Sequence, residues 1–206
     1  MSNLACQNLI EAVEKANSPA QLVAAVQALV ATKDPGAIST LITILGYNNP
    51  AAAVIAVAGL VDFGAAAVQP LMEQLDEYNY GARAYSIRAI AAISDPRALD
   101  VLVAAAANDF APSVRRAAAK GLGGLDWDKL SEKERSAAQT QALQTLMSIL
   151  EDQDWSIRYA AVVGLEALAN NPDLTAQIRA HLDRIGDDDV AVRSRLLLAQ
   201  KVLSDV

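Results

Sequence analysis

The sequence predicts an all-α solenoid of about six stacked helix pairs, and three observations carry that prediction. A twelve-residue frame recurs along the chain, an apolar segment with leucine-type residues three and four apart precedes its copies, and the apolar-polar alternation of strands is missing. Aligning VRRAAAKGLGGL (114–125) with IRYAAVVGLEAL (157–168) puts arginine second, alanine fifth, glycine eighth and leucine ninth in both. The frame also fits windows starting at Gln21, Ala52, Ala82 and Val192, so successive starts lie 31, 30, 32, 43 and 35 residues apart. Each repeat is one helix pair that can bury its apolar side only against its neighbours.

In chain order, the first helices of the pairs include AISTLITIL (37–45), AVQPLMEQL (67–75), ALDVLVAAA (98–106), ALQTLMSIL (142–150) and LTAQIRAHL (174–182), and the frame itself supplies the second helices. Breakers fall where such pairs must turn: Asp34-Pro35-Gly36, Asp95-Pro96 and Asn171-Pro172 between repeats, Asn49-Pro50 and Ala111-Pro112 within them. Proline fits the first turn of a helix and ends the one before it. The long 43-residue interval contains WDKLSEKERSAAQTQ, which reads as a loop plus a polar helical insertion at about 127–141 inside a single domain spanning 1–206.

Composition limits the function classes. Net charge −7 and pI near 4.7 weigh against duplex nucleic acid, whose affinity comes largely from neutralised phosphates. The longest uncharged apolar run, 51–61, falls short of the roughly 18 residues that span a bilayer, and MSNLACQNLI has no basic leader, so a cytoplasmic protein without membrane insertion is expected. One cysteine, Cys6, excludes an intrachain disulfide, and with Cys6 near the N-terminus and the one histidine, His181, on a first helix, neither a Cys-His nucleophile pair nor a histidine-rich metal site is expected; no metal is expected. GLGG (121–124) closes a helix and does not join a strand to one, so it is no phosphate loop. DDD (187–189) lacks the spacing of a calcium loop.

A second regularity concerns charge. In four consecutive repeats an acid stands six residues before the second-position arginine: Glu77 and Arg83, Asp109 and Arg115, Asp152 and Arg158, Asp187 and Arg193. The pattern resembles HEAT repeats, in which an acid in the turn and an arginine early in the second helix form a ladder between neighbours. Leu22 and Ala53 replace the arginine in the first two repeats, where the ladder should fail. Exposed pairs of this kind would each contribute about 0–1 kcal/mol, setting geometry more than stability.

At 100° per residue, positions one, five, eight, nine and twelve of the frame form a core stripe, and positions three, six, seven and ten face the other way. In a solenoid of this kind that second face lines the concave side. It presents Val54, Val57, Ala58 and Val61, then Ala84, Ile87, Arg88 and Ala91, then Arg116, Ala119, Lys120 and Gly123, then Tyr159, Val162, Val163 and Glu166. The expectation is an apolar wall with a basic centre, suited to an amphipathic anionic ligand. Aromatic residues mark the turns. Packing is the expected role of Tyr47 and Phe110; for Tyr78, Tyr80 and Trp155, packing and ligand contact stay equally open.

The run YNYGARAYSIRAIAAISDPRALDVLV (78–103), followed by SVRRAAAKGLGGLDW (113–127), resembles the HEAT-repeat phycobilin lyases, and among them the F-type subunits. The resemblance implies a heterodimer with an E-type lyase subunit that attaches phycocyanobilin, a linear tetrapyrrole, through a thioether to a cysteine of the phycocyanin alpha subunit. The bilin would be substrate, with no cofactor required. No Cys-His motif of the isomerising relatives is present, which favours attachment without isomerisation. On this reading Arg88, Arg116 and Lys120 are candidate propionate partners, and Tyr80, Trp155 and Tyr159 candidate stacking contacts; no residue is assigned a catalytic role. Gln200, where other repeats bury leucine or isoleucine, reads as the mark of a terminal cap, which leaves Val54, Val57 and Val61 as the expected partner-binding face. The alternative is a non-catalytic HEAT-repeat scaffold or chaperone for phycobiliproteins.

Overall fold

Helix pairs account for the chain throughout the computed structural model, which describes residues 4–75 and 78–204. Among these residues there are twelve α-helices and no strand: α1 (Leu4–Glu14), α2 (Pro19–Ala31), α3 (Ile38–Ile44), α4 (Pro50–Phe63), α5 (Ala65–Glu73), α6 (Tyr80–Ile93), α7 (Leu99–Asn108), α8 (Pro112–Gly123), α9 (Glu132–Ser148), α10 (Trp155–Leu168), α11 (Pro172–Leu182) and α12 (Val190–Ser204). They gather into two compact units, Met1–Ile93 and Ser94–Val206.

Within the first unit the second helices form one layer, α2 on α4 and α4 on α6, while α1, α3 and α5 each pack on the second helix of their own pair. The other unit repeats the plan, with α10 between α8 and α12, and α7, α9 and α11 each packed on the second helix of their pair. The frame's core positions are buried as expected: Val114, Ala118, Gly121, Leu122 and Leu125 in one repeat, Ile157, Ala161, Gly164, Leu165 and Leu168 in the next. Cys6 is buried in α1, and that burial, reinforced by the charge of Asp34, pushes its thiol up.

Helix starts follow from local chemistry. Asn49 caps α4, Asn171 caps α11 and Asp154 caps α10, each accepting a bond from a backbone N–H of the first turn. Asp34 and Asp95 do the same for short 3₁₀ turns at Pro35–Ala37 and Pro96–Ala98, and the residue before each, Lys33 and Ser94, turns the chain with positive φ.

The polar insertion at 127–141 forms a turn followed by helix. Trp127–Lys129 is a 3₁₀ turn, and Ser131 and Glu134 form a reciprocal capping box that starts α9 at Glu132. The polar segment is therefore the front half of α9, continuous with the expected helix.

Glycine sets how closely two second helices approach. A Cβ on Gly123 would overlap the carbonyl of Gly164, and one on Gly164 would overlap the carbonyl of Ala119, so the backbones of α8 and α10 touch where side chains would hold them apart.

The charge ladder is present and runs between repeats. Arg115 ion-pairs with Asp152 of the following repeat, and Arg158 grips Asp187 of the next through Nε at 2.6 Å and Nη2 at 2.7 Å. Arg158 Nη1 turns back to the carbonyls of Asp152 at 2.8 Å and Gln153 at 3.2 Å, closing its own turn. Arg158 therefore bonds its own turn through the backbone and the next turn through a carboxylate. Glu77 lies outside the described residues; Arg83 is buried. The expectation of exposed, weak pairs needs correction, because the Arg158 and Asp187 side chains are only 17% and 8% exposed. Removing one partner of a buried pair costs about 3–5 kcal/mol.

Where the arginine is missing, an asparagine takes over the link. Asn49 accepts from Ala52 N with its Oδ1 and donates Nδ2 to the Pro19 carbonyl of the preceding repeat at 3.3 Å. Asn79 does the same, accepting from Ala82 N at 3.0 Å and donating to the Gly46 carbonyl at 3.3 Å.

Candidate functional site

The open face of each unit is read from its second helices. In the second unit α8 carries Arg116 and Lys120, four residues and one turn apart, and α10 carries Trp155 and Tyr159 at the same spacing, which puts each pair on one helix face. The close backbone approach at Gly123 and Gly164 sets the two rows side by side. Arg116 Nη1 donates to Ser156 Oγ at 2.9 Å, and Ser156 Oγ donates to Asp154 Oδ1 at 2.6 Å. Bonding from the Ser156 hydroxyl, aided by the charges of Arg116 and Arg115, holds the Asp154 carboxyl below the usual carboxylate range. Lys120 Nζ lies 5.9 Å from the centre of the Tyr159 ring, within cation-π range. Lys120 and Trp155 are exposed, Arg116 and Tyr159 half-buried. A cation at each level of α8 therefore leans on a side chain of α10, Arg116 on Ser156 and Lys120 on Tyr159, with Trp155 exposed one turn before Tyr159.

The first unit presents its own face. Val54 is exposed on α4 with Val57 and Val61 half-buried on the same side, so the predicted valine strip is open. Tyr80 is exposed at the start of α6, and Arg88 is exposed two turns later with its guanidinium 5.6 Å from the ring centre of Tyr85 on its own helix.

Part of the expected wall is packed away. Ile87, Ala119 and Val162, all at position six, are 1%, 0% and 0% exposed, and Ala84 and Gly123 are buried too. Between α8 and α10 the cause is visible: the backbones approach so closely that position six of α8 turns into the flank of α10. Position seven is left open, as at Arg88 and Lys120. Glu166, counted as wall, is instead held by Arg195 of α12 through Nη1 at 2.9 Å and Nη2 at 2.8 Å. Phe110, expected to pack between turns, stands exposed in the turn before Pro112.

The expected terminal cap also fails. Gln200 donates to the carbonyl of Leu182 at 2.8 Å, tying α12 to α11, but Leu197, Leu198 and Val202 of the same helix are exposed. Counting the frame from Val192 places Leu197 and Leu198 at positions six and seven, so the signal for them lay in the pattern already used for the other repeats.

Among the described residues, no group of three or more His, Cys, Asp or Glu side chains could hold a metal ion, and no helix is long and apolar enough to cross a membrane. The chemistry on offer is non-covalent: cations that bind carboxylates, flat rings that stack, and an adjoining apolar surface.

Comparison with known proteins fits this geometry. The profile of HEAT repeats matches residues 39–123, 68–139 and 112–199. A protein of Nostoc sp. strain PCC 7120, phycocyanobilin lyase subunit beta, is 58% identical over 93% of this chain and 97% of its own length. A Synechocystis sp. protein, phycocyanin alpha phycocyanobilin lyase CpcF, is 54% identical over 79% of this chain and 76% of its own length. Among solved structures, a chain from the complex of CpcE and CpcF of phycocyanin lyase from Nostoc sp. PCC7120 superposes with TM-score 0.78 at 59% identity, covering 80% of this chain and 98% of that one. A designed armadillo repeat protein in complex with a peptide, 16% identical with TM-score 0.60 over 98% of this chain and 100% of that one, shares the helical repeat fold alone.

Proposed function

Because this chain belongs to the HEAT-repeat phycobilin lyases, we infer that it is the F-type, or beta, subunit of a lyase that attaches phycocyanobilin to the phycocyanin alpha subunit, working with an E-type partner. The reaction adds the acceptor thiol across the exocyclic double bond of the bilin. Sulfur bonds the ethylidene carbon, the ring carbon takes the proton, and nothing is oxidised or reduced. Such an addition needs no nucleophile from the enzyme. It needs the bilin held in one extended conformer, shielded, and presented to the thiol.

The observation that carries a site for this task is the α8–α10 cluster. Arg116 and Lys120 supply donors for propionate carboxylates, and Trp155 and Tyr159 supply flat surfaces for pyrrole rings. Arg88 and Tyr80 give the first unit a similar exposed cation and ring. The bilin is the substrate and no further cofactor is required. The valine strip Val54, Val57 and Val61 is assigned to protein contact, and the work is cytoplasmic. The test is direct: incubating the chain, its E-type partner, apo alpha subunit and phycocyanobilin should yield a covalent, denaturant-resistant pigment adduct faster than bilin and apo subunit alone. Equal rates would leave only a bilin-independent scaffold role.

A further inference from the structure

We propose that the open flank of α12 seats a helical repeat of the partner lyase subunit, with Leu197 and Leu198 as its apolar contact and Arg193 as its ionic one. The proposal rests on the heterodimeric reading above and assigns it a surface.

Two independent features of α12 show an unfilled repeat junction. The first is apolar. At position six of the frame, Ala119 on α8 and Val162 on α10 are fully buried because a following second helix covers that flank, whereas Leu197 on α12 is 67% exposed and Leu198 beside it 53%. No described element lies over them. Even Val57, the least covered of the other position-six residues, is half-buried on α4, so a leucine as open as Leu197 is a surface shaped for another helix.

The second feature is the ladder. Arg158 places Nη1 on the carbonyls six and five residues before it, Asp152 and Gln153, and this pose aims Nε and Nη2 at the carboxylate of the following repeat. Arg193 adopts the same pose one repeat later, with Nη1 on the carbonyls of Asp187 at 2.9 Å and Asp188 at 2.7 Å. Its Nε and Nη2 have no acceptor among the described residues. The guanidinium is thus preset to receive a carboxylate from a turn stacked beyond α12, in the bidentate geometry that Arg158 makes with Asp187.

These features identify the occupant by its chemistry: a helix pair with an apolar second-helix flank and an acid in its turn. A second copy of this chain does not fit. Its first two repeats carry Ala16 and Tyr47 where the ladder acid would stand, so head-to-tail stacking would leave Arg193 unmatched. Two α12 flanks packed face to face would set one Arg193 against another. The phycocyanin alpha subunit is the acceptor and must leave after each turnover, so a stacked repeat junction suits the lasting partner, the E-type subunit, and it is the one we commit to.

The experiment titrates the full chain with the E-type subunit by calorimetry at two salt concentrations. Leu197→Asp should weaken the complex by about 100-fold or more, since a charge would be buried at the centre of the junction. Arg193→Ala should weaken it by roughly tenfold and flatten the salt dependence. Leu197 is exposed, so melting of the free Leu197→Asp chain should match the wild type; Arg193→Ala also frees the carbonyls of Asp187 and Asp188, so its melting point should fall slightly while its helical circular dichroism holds. Wild-type affinity in both variants would overturn the proposal while leaving the lyase reading intact, as would a complex broken by Val54→Asp alone. Self-association of the isolated chain that Leu197→Asp abolishes would also overturn it, naming a second copy as the occupant. A wild-type chain that binds no E-type subunit at all would overturn the heterodimeric reading and this proposal with it.

Discussion

The two compact units solve one problem, linking each helix pair to its neighbour, with different chemistry. In Met1–Ile93 the links include neutral amides, Asn49 to the Pro19 carbonyl and Asn79 to the Gly46 carbonyl. In Ser94–Val206 they are ion pairs, Arg115 to Asp152 and Arg158 to Asp187. An asparagine link is a helix cap with one extra bond and is indifferent to acid. An arginine link joins two mostly buried charges, so its loss leaves one of them unpaired. The comparison teaches that the described links most sensitive to charge and pH, Arg115 to Asp152 and Arg158 to Asp187, lie in the second unit with the proposed bilin-binding cluster.

Arg158→Ala attacks the ionic side of the comparison and has the largest expected effect. It strands the Asp187 carboxylate and frees the carbonyls of Asp152 and Gln153, so urea denaturation at neutral pH should register a loss of about 3–5 kcal/mol. The same variant should alter the acid limb. Hydrogen bonding from Arg158 holds the Asp187 carboxyl below the usual carboxylate range, so the folded-state value lies below the unfolded one. The pair's contribution is fully present above the unfolded value of about 3.9 and is lost as pH falls through the folded one. Wild-type stability should therefore drop on acidification below about pH 4 more steeply than that of Arg158→Ala. Equal slopes would remove the pair as the cause.

Asn49→Ala probes the neutral side and should cost less, about 1–2 kcal/mol, as a lost helix cap with its bond to the Pro19 carbonyl. Its cost should not vary between pH 4 and pH 7. A loss as large as that of Arg158→Ala would erase the distinction between the units.

How much of this was legible in the sequence differs along the same divide. The arginine and aspartate of the second unit repeat at fixed spacing and are chemically conspicuous, so the ladder was readable, although its burial was not: exposure depends on how tightly the turns stack. Asn49 stands in a turn signal before Pro50 and Asn79 carries no signal of its own; the link each makes needed the position of the preceding carbonyl. Positions one, five, eight, nine and twelve are buried as the helical period requires in the repeats of α8 and α10, whereas Gln21 and Ala28, at positions one and eight of the first repeat, are exposed. Position six misled at Ile87, Ala119 and Val162, because a single helix does not reveal how close its neighbour comes, and here Gly123 and Gly164 let backbones touch. Lys120 beside Tyr159 and Arg116 beside Ser156 followed from that same close approach. Leu197 and Leu198 were missed because Gln200 drew the eye to a polar cap, when the frame itself put them in view.

The central claim is that Arg116 and Lys120 of α8, backed by α10, hold the bilin. The measurement that bears on it most directly is a titration of phycocyanobilin, followed by visible absorption and circular dichroism, into the heterodimer carrying Arg116→Ala with Lys120→Ala. The account predicts bilin affinity reduced by roughly 10- to 100-fold, the loss of one or two charge-assisted hydrogen bonds, with the helical signal and partner binding unchanged. Wild-type affinity in that variant would contradict it.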